Sequence, residues 1–227
     1  MQTRILAIET SGPLFSLALL EDGRVIDSFH STEKMAHEAG AAIALDHLMK
    51  RNQLEFKNLG LIAAGSGPGS YSGLRIGMAL ASGISLASGV PVLGIGTLDN
   101  IAAQLKTKSP ESDYYLVLVP ARKEEYFMAL WPRESEEPII PPGWIHEEDA
   151  VSGLNNLPHD ARITTNHSSA LLLTPKLLPD NIRIHEVSPD AETVASLAFY
   201  RLKTGNLPDA DSPEPDYLKP VYISGNK

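Results

Sequence analysis

A glycine-rich segment of the chain combines residue types that can bind a phosphate group. The sequence GSGPGSYSGLRIG, from Gly65 to Gly77, lies between an apolar run and a predicted helix. The backbone N–H groups of such a loop and the positive end of the helix dipole favour an anion. The segment lacks the Lys-Ser/Thr pair of a P-loop, and Ser70 stands where a dinucleotide fingerprint needs its third glycine. A structural turn and a phosphate site therefore both stay open, and the structural turn is favoured.

A single acidic residue at the end of the first predicted strand is the other candidate for ligand chemistry. Glu9 is followed by two residues with hydroxyl groups. Actin-like kinases place an acidic residue and a phosphate-binding turn at this point, so Glu9 is explained equally well as a working ligand and as a vestige of one. We predict a cofactor-binding set, working or vestigial, at Glu9, Thr10, Gly67, Gly69 and Ser70.

Several other chemistries lack their residues in this sequence. No two of its seven histidines lie three or four residues apart on one predicted helix, as a helical metal pair requires. The absence of cysteine excludes thiolate nucleophiles, thiolate metal sites and disulfides. No Gly-x-Ser-x-Gly motif of a serine hydrolase occurs. We predict neither a catalytic residue nor a metal site.

Composition and charge favour a soluble cytoplasmic protein. The 227 residues are 43% hydrophobic and 21% charged, and the lack of cysteine suits a reducing compartment. A net charge of -9 repels a phosphate backbone, so tRNA or other RNA would be bound only indirectly. The uncharged run from Ile76 to Leu98 is interrupted by glycines and Pro91, which predicts a buried helix and strand instead of a membrane span.

The order of the predicted elements in the first half of the chain indicates a mixed sheet. Three strands in a meander are followed by helix, strand, helix and strand, which is the order of a ribonuclease-H-like core. A dinucleotide-binding fold would open with strand, helix, strand. The predicted strands are Arg4–Glu9, 14–20, Arg24–Ser31, 59–64 and 90–95, and the predicted helices are 35–52 and 72–88.

The second half partly repeats this order. A helix at 98–105 precedes strands at 114–119 and 125–131, and the proline-rich stretch 132–158 is predicted as loop with one short helix near Glu147. A final helix at about 191–203 ends before Gly205. We predict an α/β, actin-like/ribonuclease-H-like two-lobed fold with a reduced second lobe. The expected lobes are residues 1–104 and 105–227, with the final helix free to pack back on the first lobe.

Two neighbouring helices are rich in small residues. The helix 72–88 carries Gly77, Ala79, Ala81 and Gly83, and the preceding helix contains the run AGAA from Ala39. A helix that faces water normally keeps a polar face. Either the fold covers these helices on all sides, or one face is a docking site for a partner, and the pairing of two such helices favours the interface.

Four segments resemble the TsaB (YeaZ) family. The sequence GPGSYSGLRIG at 67–77 resembles the family's GPGSFTGLRIG, and ILAIETS at 5–11 resembles ILAIDTS. Ala121-Arg122 with Glu125-Tyr126 resembles DAR…EVY, and PDYLK at 215–219 resembles P-x-YLR. The chain departs from the family at Glu9, where the family has Asp, and at Pro120, where it has the Asp of DAR. Both departures weaken the case for ancestral metal or nucleotide binding.

The resemblance implies a non-catalytic subunit that supports TsaD, the enzyme that forms threonylcarbamoyladenosine beside the anticodon of tRNAs. It also implies the ATPase TsaE as a further partner, a homodimer when TsaD is absent, and ATP or ADP at the complex interface as the one cofactor to consider. The alternatives are an actin-like ATP-binding phosphotransferase and a peptidase-like protein. The implied partner interface comprises Met35, Ala39, Ala42, Leu45, Met49, Leu74, Met78, Ala81 and Ser85.

Overall fold

The computed structural model describes residues 2–31, 40–167, 170, 179–205 and 218. The described chain divides into two compact units. The first contains the described residues up to Asn100 and those of 188–205, and the second contains the described residues of 101–187 with Leu218. No helix among the described residues is long and apolar enough to cross a membrane.

The first unit is built on a five-stranded mixed sheet. Its strand order is β3-β2-β1-β4-β5, with antiparallel pairs in the meander and parallel pairs from β1 to β5. The turn between β2 and β3 has positive φ at Asp22 and Gly23, as a tight connection within the predicted meander requires. The strands are β1 (Arg4–Glu9), β2 (Phe15–Glu21), β3 (Arg24–Ser31), β4 (Leu61–Gly67) and β5 (Val92–Gly96).

Helices cover both faces of this sheet. Leu6 and Ile8 of β1 pack in one apolar cluster with α1 and α2, whereas Ile5 and Ala7 pack in a second cluster with α5. Because β1 is buried on both faces, it reads as a continuous apolar run in the sequence. The helices of the described residues are α1 (Gly40–Arg51), α2 (Tyr71–Ser88), α3 (Thr97–Lys108), α4 (Glu147–Leu154) and α5 (Ala191–Thr204).

Local signals fix both ends of α2. The Ser70 side chain accepts a hydrogen bond from the N–H of Gly73, which satisfies one backbone donor of the first turn. At the other end Gly89 adopts a left-handed conformation, and its N–H donates to the carbonyl of Ser85 over 2.8 Å. The observed helix starts one residue before the predicted 72–88 and ends at the same residue.

The second unit repeats the strand arrangement of the first. Its order is β8-β7-β6-β9-β10, again an antiparallel meander followed by two parallel pairs. Ala150 and Leu154 of α4 pack in an apolar cluster on one face of this sheet. The strands are β6 (Tyr114–Arg122), β7 (Glu125–Pro132), β8 (Ile140–His146), β9 (Ile163–Thr165) and β10 (Ile182–Ile184).

The stretch 132–158 differs from the prediction. The short helix at Glu147 is present, but β8 precedes it where a loop was expected, and it contains Pro141 and Pro142. Strand β8 lies at the edge of its sheet, where a residue without an N–H group can face away from the ladder. Strands β9 and β10 were also not predicted, because each has three residues and is too short to show a periodicity.

Candidate functional site

The end of β1 carries three consecutive polar residues into the interior of the first unit. Glu9, Thr10 and Ser11 are 0%, 1% and 4% exposed. Oε1 of Glu9 accepts a hydrogen bond of 2.5 Å from the N–H of Ser11, whereas Oε2 of Glu9 and Oγ1 of Thr10 have no hydrogen-bond partner in the part of the chain that the structure describes. Unpartnered buried polar atoms are costly, and their presence makes this strand end the candidate site.

The glycine-rich segment wraps around the end of β1. A β carbon at Gly65 would stand 2.3 Å from Oε2 of Glu9, and one at Gly77 would stand 2.3 Å from Oγ1 of Thr10. A β carbon at Gly69 would meet the carbonyl oxygen of Ser11 at the same distance of 2.3 Å. The close approach of the end of β1 therefore requires these glycines. This is a structural role for the segment, in line with the structural turn that the sequence favours.

Burial dominates the electrostatics of Glu9. Loss of water raises the pKa of its carboxyl group, and the negative charge of Asp190 adds to this effect. Hydrogen bonds from Ser11 and from the backbone of Thr10 act in the opposite direction and are outweighed. Among the described residues no Lys, Arg or His forms an ion pair with Glu9.

Sequence reasoning missed the polar residues that neighbouring elements bring to this region. Oγ1 of Thr97 donates to Oγ of Ser11 over 2.8 Å, and the N–H of Ala191 donates to Oγ of Ser16 over 2.9 Å. Thr97 opens α3 directly after β5, and the carboxyl ends of the parallel strands β1, β4 and β5 meet at one edge of the sheet. The position of Thr97 after its strand was the available signal.

The predicted cofactor-binding residues share this strand end but differ in accessibility. Glu9, Thr10 and Gly67 are buried, Gly69 is half-buried, and Ser70 is exposed. Within the described ranges no group of three or more His, Asp or Glu side chains could hold a metal ion. The arrangement offers one enclosed carboxyl group, one hydroxyl group and the N-terminus of α2. Nucleotide binding at these residues stays a prediction.

Most of the predicted interface residues lie inside the first unit. Met35 and Ala39 fall outside the described residues, Ala42 is exposed and Ser85 is half-buried. The other predicted interface residues are packed in the interior of the chain, and these are Leu45, Met49, Leu74, Met78 and Ala81. Their periodicity identified the inner faces of α1 and α2, because apolar spacing alone does not tell a core stripe from a docking stripe.

The solvent-facing stripe of α2 consists of other residues, which we call the outer stripe. The Leu86 side chain is 89% exposed, and the guanidinium of Arg75 lies 4.0 Å above the ring of Tyr71. On α1, whose inner face packs in the same apolar cluster as α2, Ile43 is 60% exposed. Large apolar side chains in water are typical of interaction surfaces when they are grouped. The outer stripe comprises Tyr71, Arg75, Ala79, Ser82 and Leu86.

Comparison with curated proteins identifies relatives that share one description. The chain is 29% identical over 152 residues to "tRNA threonylcarbamoyladenosine biosynthesis protein TsaB" of Escherichia coli (strain K12), which covers 63% of this chain and 65% of that protein. It is 33% identical over 99 residues to the protein of the same description from Bacillus subtilis (strain 168), covering 44% and 43%. The matches thus span less than two thirds of these relatives. The family described as "TsaD: tRNA N6-adenosine threonylcarbamoyltransferase" matches residues 31–135.

Solved structures with the same fold cover nearly the whole chain. A protein "with similarity to peptidase YEAZ" from Pseudomonas aeruginosa superposes with a TM-score of 0.77 at 23% identity, covering 96% of this chain and all of that one. "YeaZ from Pseudomonas aeruginosa" superposes with a TM-score of 0.73 at 22% identity, covering 95% and 100%. These likenesses confirm the predicted actin-like/ribonuclease-H-like α/β fold.

Proposed function

Because this chain belongs to the TsaB (YeaZ) family, we propose that it is a subunit of the machinery that forms threonylcarbamoyladenosine in tRNA. The observation that carries the proposal is the repeated match to proteins described as tRNA threonylcarbamoyladenosine biosynthesis protein TsaB. The match of residues 31–135 to the TsaD family supports a common ancestry with the enzyme of that pathway. Its role is accessory, and TsaD performs the transfer.

The accessory role is supported by the geometry of Glu9. A carboxylate that binds a catalytic cation or a phosphoryl group must be reachable from solvent or substrate. Glu9 is fully enclosed, and the main chain at Gly65 closes directly on its Oε2 atom. The side chain that stands where actin-like kinases have an acidic ligand is therefore part of the packing of the first unit.

The proposed partner surface is the outer stripe of α2 together with the exposed side of α1, whose inner face packs in the same apolar cluster. Its support is the exposure of Leu86 and Ile43 and the low charge of α2, whose one charged residue is Arg75. Exposed apolar and aromatic side chains next to small ones allow close helix-to-helix contact and supply the anchors of an interface. We assign this surface to TsaD, and to a second copy of the chain when TsaD is absent.

The other proposed partners belong to the same assembly. TsaE joins the complex of this chain with TsaD, and any ATP or ADP would be bound where the subunits meet. The tRNA is bound through the partners, because a net charge of -9 repels its phosphates. The assembly works in the cytoplasm, where its tRNA substrate is found.

Reconstitution tests the proposal. Purified TsaD and TsaE of the same organism are incubated with unmodified tRNA, threonine, bicarbonate and ATP, together with the enzyme that activates threonine. Threonylcarbamoyladenosine is measured by mass spectrometry of the digested tRNA. The modification should appear when this chain is added and stay at background without it. Equal amounts in both reactions would refute the proposal.

A further inference from the structure

Glu9 is an enclosed acid without a counter-charge in the described ranges of the chain. Its side chain is 0% exposed, Oε1 accepts a hydrogen bond from the N–H of Ser11, and Oε2 has no hydrogen-bond partner among the described residues. The main chain at Gly65 leaves no room for even a methyl group beside Oε2. An ionised carboxylate in such a place loses its hydration and gains no ion pair in return.

The elements packed around Glu9 offer no cation within the described residues. Strand β2 places Ser16 opposite Glu9 in the sheet register, and β4 places Gly65 against the carboxyl group. The charged group that acts on Glu9 is Asp190, the N-cap residue of α5, and its charge is negative. Burial and Asp190 therefore both favour the protonated form.

A chain of hydrogen bonds connects Glu9 to the start of α2. The N–H of Ser11 donates to Glu9, and the carbonyl of Ser11 accepts from the N–H of Ser70 over 2.8 Å. The Ser70 hydroxyl accepts from the N–H of Gly73 in the first turn of α2. The carboxyl group, the end of the glycine-rich segment and the helix N-terminus thus form one connected unit.

We propose that Glu9 is a neutral carboxylic acid in the folded protein and acts as a pH-sensitive latch on the segment from Gly65 to Ser70 and on the first turn of α2. Ionised Glu9 must regain water, and the glycine-rich segment packs directly against its carboxyl group at Gly65. Ionisation therefore loosens this segment and the first turn of α2 with it. The latch concerns the chain alone and holds whether or not the chain docks TsaD.

The latch has a defined effect on stability. The raised pKa of Glu9 means that the folded protein retains a proton which the unfolded chain loses above about pH 4.3. Stability from this group is complete below that pH and is lost as the pH rises towards the pKa of the folded state. The folding equilibrium constant should fall by up to about tenfold per pH unit in that window from this group alone.

Urea unfolding across a pH series tests the latch with Glu9→Gln, which keeps the shape of the side chain and cannot ionise. Glu136→Gln, at an exposed turn position, is the matched control. The free energy of unfolding should decline with rising pH in the parent protein and in Glu136→Gln. In Glu9→Gln the slope of this decline should be smaller by the contribution of one titrating proton. The same pH dependence in all three proteins would overturn the proposal.

A second measurement needs no variant and so holds even if Glu9→Gln does not fold. The parent protein is labelled with ¹³C at the glutamate side-chain carboxyl groups, and its infrared spectrum is recorded at neutral pH. A carbonyl band of a protonated glutamic acid is expected, and it should vanish at alkaline pH together with the hydrogen-exchange protection of the Gly73 amide. A spectrum with carboxylate bands alone at neutral pH would overturn the proposal.

Discussion

Gly73 of α2 lies directly against the main chain of Thr10, because a β carbon at Gly73 would stand 2.1 Å from the Thr10 carbonyl oxygen. The small residues on this face of α2 therefore serve the chain's own packing. Gly83 of the same helix has the opposite surroundings, since a β carbon there would meet no described atom within 4 Å beyond its chain neighbours and the backbone of its own helix. Gly73 therefore has a packing role, whereas Gly83 occupies an exposed position.

Alanine substitution of these glycines should have opposite effects. Gly73→Ala places a methyl group on a backbone atom that cannot rotate away, and we expect the free energy of unfolding to fall by about 1 to 3 kcal/mol. Gly83→Ala should raise it by about 0.5 to 1 kcal/mol, since alanine is the better helix former. Urea unfolding measures both. A Gly73→Ala protein as stable as the parent would show that α2 does not close on β1.

The N-cap residue of α5, Asp190, should contribute measurably to the stability of the first unit. The Asp190 carboxylate accepts a hydrogen bond of 2.7 Å from the N–H of Thr193. We expect Asp190→Ala to lower the free energy of unfolding by about 1 kcal/mol, and Asp190→Ser to restore most of the loss, because serine is also a good N-cap residue. Thermal unfolding followed by circular dichroism measures the difference. Equal losses in both variants would rule out capping as the cause.

The pair of Asp27 and Arg51 joins the edge strand β3 to α1 and should respond to acid. Nε and Nη2 of Arg51 donate to Asp27 over 2.5 and 2.6 Å, and the Asn52 side chain donates as well. Burial alone would raise the pKa of Asp27, but the hydrogen bonds from Arg51 and Asn52 and the charge of Arg51 outweigh it, and the pKa lies below its ordinary value.

The pH dependence of the stability that Asp27 contributes is opposite in sign to that of Glu9. Stability from Asp27 is present above about pH 3.9 and is lost as the pH falls through the lowered pKa of the folded state. Because half of Arg51 is exposed and screened by solvent, Asp27→Asn should cost about 1 kcal/mol at neutral pH and close to nothing in strong acid. Asp46→Asn, in the exposed pair with Lys50, is the control and should cost less than about 0.5 kcal/mol. Equal costs for the two variants at neutral pH would contradict the special role of Asp27.

The sheet of the first unit was predictable from sequence because its strands are buried and bounded by clear turn residues. Strands β1 and β3 have the predicted bounds, and the chain turns between β2 and β3 at Asp22 and Gly23. Strand β8 was not predictable, since Pro141 and Pro142 favour loops and only the edge position, a tertiary property, makes them compatible with a strand.

The candidate site was predictable in part. The sequence placed Glu9 and the glycine-rich segment at strand ends, and the structure brings them into contact. The sequence did not tell which face of α2 is turned inward, because glycine and alanine occur on both faces. That orientation follows from the fit of Gly73 and Gly77 against Thr10. Leu74 and Ala81 are consequently core residues, and their substitution by glutamate would unfold the unit before it tested an interface.

Docking through the outer stripe is tested most directly by the affinity for TsaD of Leu86→Glu compared with that of Tyr200→Glu. Both side chains are exposed, 89% and 51%, but Leu86 lies on α2 and Tyr200 on α5, which covers the other face of the sheet. Circular dichroism first establishes that both variants are folded, and calorimetry then gives the dissociation constants. Leu86→Glu should weaken binding by about tenfold or more while Tyr200→Glu binds like the parent. Parental affinity in Leu86→Glu, or an equal loss in both variants, would contradict the proposed surface.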